Sequence, residues 1–118
     1  MKNKGFTLLE IMIVVAIIGL LATIGIPAFI KVRLESRKNA CLNGQRMVRD
    51  ALEQWSLSHE VALGMEIPDD GKAEITSYIK GNALPKCPEG DITIQVPDTF
   101  GTPVMCPVEA SRDIHFLP

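Results

Sequence analysis

KGFTLLEIMIVVAIIGLLATIGIPAF, residues Lys4 to Phe29, decides how the rest of this chain is read. Glu10 is the only ionisable side chain between Lys4 and Lys31. From Ile11 to Ile30 about 20 uncharged positions follow one another, which as a helix span about 30 Å, the thickness of a bilayer core. A charge at the centre of such a span costs about 2.5–3.5 kcal/mol on insertion scales, so Glu10 calls for an explanation. A cleaved secretory signal also opens with basic residues, here Lys2 and Lys4, before turning apolar. Its apolar core is shorter than this one, however, and LATIGIPAF offers no A-x-A-like cleavage site. The segment therefore reads as a retained membrane helix. Lys31, Arg33, Arg37, Lys38, Arg46 and Arg49 follow it closely, and by charge alone they place the C-terminal side in the cytoplasm.

The junction itself carries a stronger signal. MKNKG is a short basic leader ending in glycine, and FTLLEIMIVVAIIGLLATIGIP follows it. Gly5, Phe6, Thr7, Leu8, Glu10, Gly19 and Pro27 all stand where the class III signal has them. The first 30 residues or so thus resemble type IV pilins and type II secretion pseudopilins. The resemblance implies cleavage between Gly5 and Phe6 on the cytoplasmic face by a prepilin peptidase, which then methylates the new amine of Phe6. It also implies that the C-terminal part is exported, against the charge count.

Each of these positions also has a physical reading. Gly5 has no side chain, so its backbone enters a narrow protease cleft at little steric cost. Lys2 and Lys4 hold the leader at the anionic inner surface of the membrane, and cleavage removes both. Glu10 complements the helix dipole as an acid in the first turn, close to the interface where its cost falls. Alternatively, cleavage creates a cation at Phe6 that offsets a buried acid. In the family that acid is assigned to the amine of a neighbouring subunit, where a paired charge sets register. Pro27 removes one helical hydrogen bond and predicts a kink or local opening, with Gly19 and Gly25 weakening the same stretch.

Beyond the apolar run, Leu34, Cys41, Val48, Leu52 and Trp55 draw one apolar stripe, with Arg37, Lys38, Arg46, Arg49 and Asp50 largely off it. The pattern predicts one helix from Phe6 to Ala62, with Gly64 as its stop and MEIPDDG as a loop. AEITSYIKG predicts a short helix ending at Gly81. In DITIQV, Ile92, Ile94 and Val96 alternate with Thr93 and Gln95 as in a strand, PDTFG reads as a turn, and TPVMC as a second, edge strand bearing Pro103. DIHFL offers a third. The expected fold class is α+β: a long N-terminal helix, membrane-spanning and then amphipathic, packed against a small C-terminal antiparallel sheet. The expected divisions are a leader at 1–5, a transmembrane and assembly half at 6–30, an amphipathic half at 31–64 and a loop-and-sheet head at 65–118.

In a chain of 118 residues, such a head has a thin core, of the kind that leans on staples or partners. Cys41, Cys87 and Cys106 permit one disulfide with a thiol left over. Cys87–Pro88 and Cys106–Pro107 bracket the expected hairpin, so a Cys87–Cys106 bridge suits an exported head and contributes about 3 kcal/mol through loop closure. Cys41 then remains a buried thiol, or it bridges one of the other two; the remaining alternatives are that the cysteines stay reduced or hold a metal. A metal site joining cysteines to His59 or His115 lacks any C-x-x-C or H-x-x-x-H spacing, and Asp91, Asp98 and Asp113 lack a calcium-loop spacing. No metal and no cofactor is expected. The segments NACLNGQRMVRDALEQWSL, YIKGNALPKCPEGD and CPV also resemble pilin-like proteins with a CP-x-G-G-x-Y hairpin, although CPEGDIT lacks the second glycine and the tyrosine.

No activated serine, spaced metal ligands or phosphate loop is visible, so an enzyme is not expected. The formal net charge of −2 and the absence of a basic stripe give no reason to expect nucleic acid. The resemblance implies a structural subunit of a pilus-like or pseudopilus filament, assembled through its N-terminal helix. Its implied partners are copies of itself, the prepilin peptidase and methyltransferase, an inner-membrane assembly platform and other pilin-like subunits. Its implied location is the inner membrane as a single-pass precursor with an exported head, and then the filament. The alternative is a membrane-anchored binding or DNA-uptake protein using the same export signal.

Overall fold

The computed structural model describes residues 4–108. Its elements are α1 (Leu8–His59), α2 (Asp69–Ser77), β1 (Lys86–Cys87) and β2 (Ile92–Thr93). The backbone falls into two compact units, with the boundary between Glu35 and Ser36. The fold is α+β, as its sequence predicts: one long N-terminal helix and a small antiparallel sheet of two strands.

The first unit is the apolar start of α1. Nearly every side chain on it is exposed, from Leu8 and Leu9 through Ile30, Val32 and Leu34. Among the described residues α1 is the one helix long and apolar enough to cross a membrane. Helical structure continues through Pro27. The sequence predicts a kink or opening there; a proline also leaves the carbonyl four residues earlier, that of Thr23, without its usual donor.

The second unit is organised by the later part of α1. Cys41, Gln45, Val48, Leu52, Trp55 and Ser56 are buried at helical spacing along one face. Leu34, which spacing places on the same stripe, is exposed because the covered face begins only at Cys41. Against this face pack Ile67, Ile75, Ile79, Cys87, Ile94, Val96, Val104 and Cys106. The closest approach is at Gly44, where a Cβ would stand 2.6 Å from Ile94 Cδ1 and 3.2 Å from Pro85 Cβ. A side chain there would force the Ile94 and Pro85 side chains to shift.

Several boundaries differ from those the sequence predicts, each for a local reason. α1 stops at His59, not Ala62, because Glu60 turns left-handed (φ 51°). The Val61 N–H then donates to the Ser56 carbonyl at 3.1 Å, closing a Schellman-type end. Gly64 (φ 88°) serves the turn that follows. α2 begins at Asp69, inside the expected loop MEIPDDG, with Pro68 as its extended N-cap and two acids in its first turn. It ends at Ser77, before the predicted Gly81.

The hairpin is also placed differently. β2 pairs with β1, Lys86 opposite Thr93 and Cys87 opposite Ile92, and Ile94 N–H extends the pairing to the Pro85 carbonyl at 2.9 Å. The expected partner TPVMC forms no strand, and prolines at 97, 103 and 107 supply no N–H for a ladder. Of the three residues expected on one face, Ile94 and Val96 are buried while Ile92 is 46% exposed near the hairpin turn. A second short antiparallel contact joins Glu66 to Thr99, with Ile67 N–H on the Asp98 carbonyl (2.7 Å) and Phe100 N–H on the Met65 carbonyl (2.9 Å). The third predicted strand, DIHFL, lies outside the described residues.

Candidate functional site

Gly5 and Phe6 lie in irregular backbone just before α1. Phe6 is 85% exposed, and nothing stands within 4 Å of where a Cβ on Gly5 would be. The peptide bond between them is therefore outside the helix and sterically open, the state a protease cleft needs.

The helix start is built from Thr7 and Glu10. Thr7 N–H donates to Glu10 Oε2 at 2.8 Å, and Glu10 N–H donates to Thr7 Oγ1 at 3.3 Å. With Leu8 as the first helical residue, this is a capping box in which two otherwise unpaired amides satisfy each other's side chains. Glu10 thus has a role within its own chain, beyond a general fit to the helix dipole. Sequence reasoning missed it, although a threonine three residues before a glutamate at the edge of an apolar run is its signature. Gly19 and Pro27 lie farther along the exposed apolar part of α1, and no atom crowds Gly19.

The second concentration of reactive groups is in the head. Cys106 Sγ stands 3.4 Å from Cys41 Sγ and 3.6 Å from Cys87 Sγ, and all three sulfurs lie within 4.8 Å of one another. Cys41 comes from α1, Cys87 from β1 and Cys106 from the extended segment after Pro103. All three are thiols and all are buried. Cys87 and Cys106, the pair favoured from sequence, are neighbours, but Cys106 is equally near Cys41. Burial pushes the Cys41 and Cys106 thiols up, and for Cys41 the neighbouring thiols add to the rise. Gln45 Nε2 approaches Cys41 Sγ at 3.6 Å, and the Val108 backbone amide donates to Cys106.

His59 is not part of that cluster. Its ring stacks on Trp55 with centroids 5.0 Å apart, and its Nε2 lies 3.3 Å from Glu74 Oε2. Trp55 Nε1 donates to the same carboxylate at 3.1 Å, joining the end of α1 to α2. Lys72 on α2 reaches Asp98 at 2.6 Å; that contact raises the lysine and lowers the aspartate from their ordinary values. His115 and Asp113 lie outside the described residues.

Residues 1–26 match the family model of the prokaryotic N-terminal methylation motif. The chain is 34% identical over 90 residues to competence protein ComGC of Bacillus subtilis, covering 76% of this chain and 86% of that protein. It is 60% identical over 38 residues to the type IV major pilin protein PilA of Myxococcus xanthus, but this covers 32% of this chain and only 17% of that one. Prepilin peptidase-dependent protein D of Escherichia coli is 36% identical over 76 residues, covering 64% of this chain and 50% of that protein. No solved structure matches.

Proposed function

The chain belongs to the type IV pilin-like family, and from that premise we propose that it is a non-enzymatic filament subunit, cut between Gly5 and Phe6 and assembled through α1. The observation that carries this reading is the surface of α1. A run of side chains including Leu8, Ile11, Val14, Ile18, Leu21, Ile24 and Phe29 is exposed with no cover from its own chain. In water such a surface is strongly unfavourable, at about 25 cal/mol for each Å² of apolar area. Lipid covers it in the precursor, and the helices of neighbouring subunits cover it in the filament. A membrane anchor alone needs the apolar span but not the open Gly5–Phe6 bond or the carboxylate at Glu10.

Processing changes the chemistry at the helix start. Hydrolysis of the Gly5–Phe6 bond leaves a protonated amine on Phe6, which N-methylation keeps basic. Glu10 lies four residues from it and accepts the N–H of Thr7, the residue that caps its own helix. On entering an assembly, that carboxylate meets the Phe6 amine of the next subunit, and Gly19 and Pro27 lie in the stretch that adjusts between membrane and filament. The prepilin peptidase, an inner-membrane assembly platform and other pilin-like subunits are the partners this route requires. The precursor is single-pass in the inner membrane with its head exported.

Within the family, the match to the competence protein takes in 76% of this chain, whereas the match to the Myxococcus pilin takes in 32%. That breadth favours a filament of the competence type over a secretion pseudopilus. The role needs no nucleic-acid contact by this subunit, whose head carries more acids than bases.

Intact mass of the membrane-extracted protein, combined with a sheared surface fraction, tests the reading. A chain beginning at Phe6, carrying one added methyl and present in the sheared fraction, is expected. An unmethylated chain with its first five residues still attached, confined to the membrane, would refute it.

A further inference from the structure

The cysteine trio stands apart in a core that is otherwise mostly aliphatic packing around Trp55. The fold brings together three buried sulfurs from three separate segments, two of them 65 residues apart in sequence. With two edges of 3.4 and 3.6 Å and the third no longer than 4.8 Å, a point equidistant from all three sulfurs lies at most about 2.4 Å from each, close to the zinc–thiolate distance of about 2.3 Å.

Two further features point the same way. Gln45, itself fully buried, directs its amide nitrogen at Cys41 Sγ, and the backbone amide of Val108 donates to Cys106 across the intervening Pro107. N–H groups aimed at sulfur stabilise the thiolate rather than the thiol, and such outer contacts orient and tune metal ligands. The site is also assembled from a helix, a strand and an extended segment, so a cation there would tie together three parts of a thin core.

We propose that Cys41, Cys87 and Cys106 form a structural site for a thiophilic divalent cation, Zn²⁺ being the type that fits. On binding, three Cys–SH groups and one Zn²⁺ become a zinc tris-thiolate of net charge −1 and three released protons. No electrons are transferred, so no oxidant is required. The fourth coordination position takes one further donor, water in the simplest case. With the cation bound, the negative charge of the three thiolates is compensated in place.

The test uses the full chain, extracted from the membrane in detergent without reductant or chelator. Elemental analysis and native mass are expected to find one zinc per chain, and alkylation after chelation and denaturation should label three thiols. Replacing zinc with Co²⁺ should give the intense near-ultraviolet sulfur-to-cobalt charge-transfer band. That band should be lost or strongly reduced in Cys41→Ser, Cys87→Ser and Cys106→Ser. Gln45→Leu, which leaves every ligand in place, should weaken Co²⁺ binding about 10–100-fold. If the serine variants do not fold, zinc content and thiol count of the unaltered chain still decide. A chain two hydrogens lighter with one alkylatable thiol would overturn the proposal in favour of a disulfide. Three free thiols that take up neither Zn²⁺ nor Co²⁺ would overturn it as well.

Discussion

Glu10 is asked to do two things, and two substitutions separate them. In the chain by itself, Glu10 accepts the Thr7 amide at 2.8 Å while Thr7 Oγ1 accepts the Glu10 amide at 3.3 Å. Thr7→Ala removes the second bond and leaves the carboxylate intact. Loss of an N-cap side chain costs about 1 kcal/mol, within a range of about 0.5–2, and frays only the first turn of a 52-residue helix. Glu10→Gln does the converse: glutamine still serves a capping box, but the negative charge is gone. If the Phe6 amine of a neighbouring subunit pairs with Glu10 in an apolar helix bundle, removing one partner strands the other charge. That costs about 3–5 kcal/mol, or about a hundred- to several-thousand-fold in subunit association. The assay is the amount of protein in a sheared filament fraction, with intact mass run alongside to establish that both variants are cleaved and methylated. Thr7→Ala is expected to assemble at close to the unaltered level, and Glu10→Gln to remain in the membrane. The reasoning is refuted if both variants are processed and lose assembly to the same extent, since Glu10 would then matter as a cap. It fails equally if Glu10→Gln assembles normally.

Other consequences concern the head, and Trp55 is a convenient reporter because it is the single tryptophan and is buried. Ile94→Ala should destabilise the head by about 2–5 kcal/mol, whereas Ile92→Ala should cost less than about 1 kcal/mol; urea unfolding followed by Trp55 fluorescence reads both, and equal effects would contradict the register described. Glu60→Gly relieves a left-handed non-glycine residue at the end of α1 and should raise stability by about 0.5–1 kcal/mol in the same assay. In the reduced, metal-free chain, burial raises the Cys41 thiol above its ordinary 9.0, so the unfolded chain loses its proton first as pH rises. Stability should therefore be fully present below about pH 9 and decline above it, and Cys41→Ala should flatten that alkaline limb of the unfolding curve.

Short-range patterns made much of the chain legible. The membrane-length apolar run, the Gly5–Phe6 junction and the position of Glu10 are contiguous features, and they led to the helix, the family and the assembly reading. The capping box was equally local and was there to be found in Thr7 and Glu10. The end of α1 was harder, because the stop is a left-handed glutamate at 60 and not the expected glycine at 64. Turn conformations of that kind depend on what the following residues bond to, and Val61 bonds back to Ser56.

The head required the tertiary structure. Alternation placed Ile92, Ile94 and Val96 on one face, but β2 is two residues long and its partner is the segment before the turn, so Ile92 escapes burial. Three prolines in the later segments deny them the donors for a longer ladder. Above all, spacing left the three cysteines as separate options, because no two of them form a local ligand motif. Their meeting depends on Gly44 letting the hairpin approach α1 and on the segment carrying Val104 and Cys106 packing into the same core. Sequence by itself determined the helix and its apolar surface, since these rest on residues within a few turns of one another, although α1 starts at Leu8 and not at the expected Phe6. Packing across distant segments decided the thiol cluster, since only the closed core brings those sulfurs within reach of a single ion.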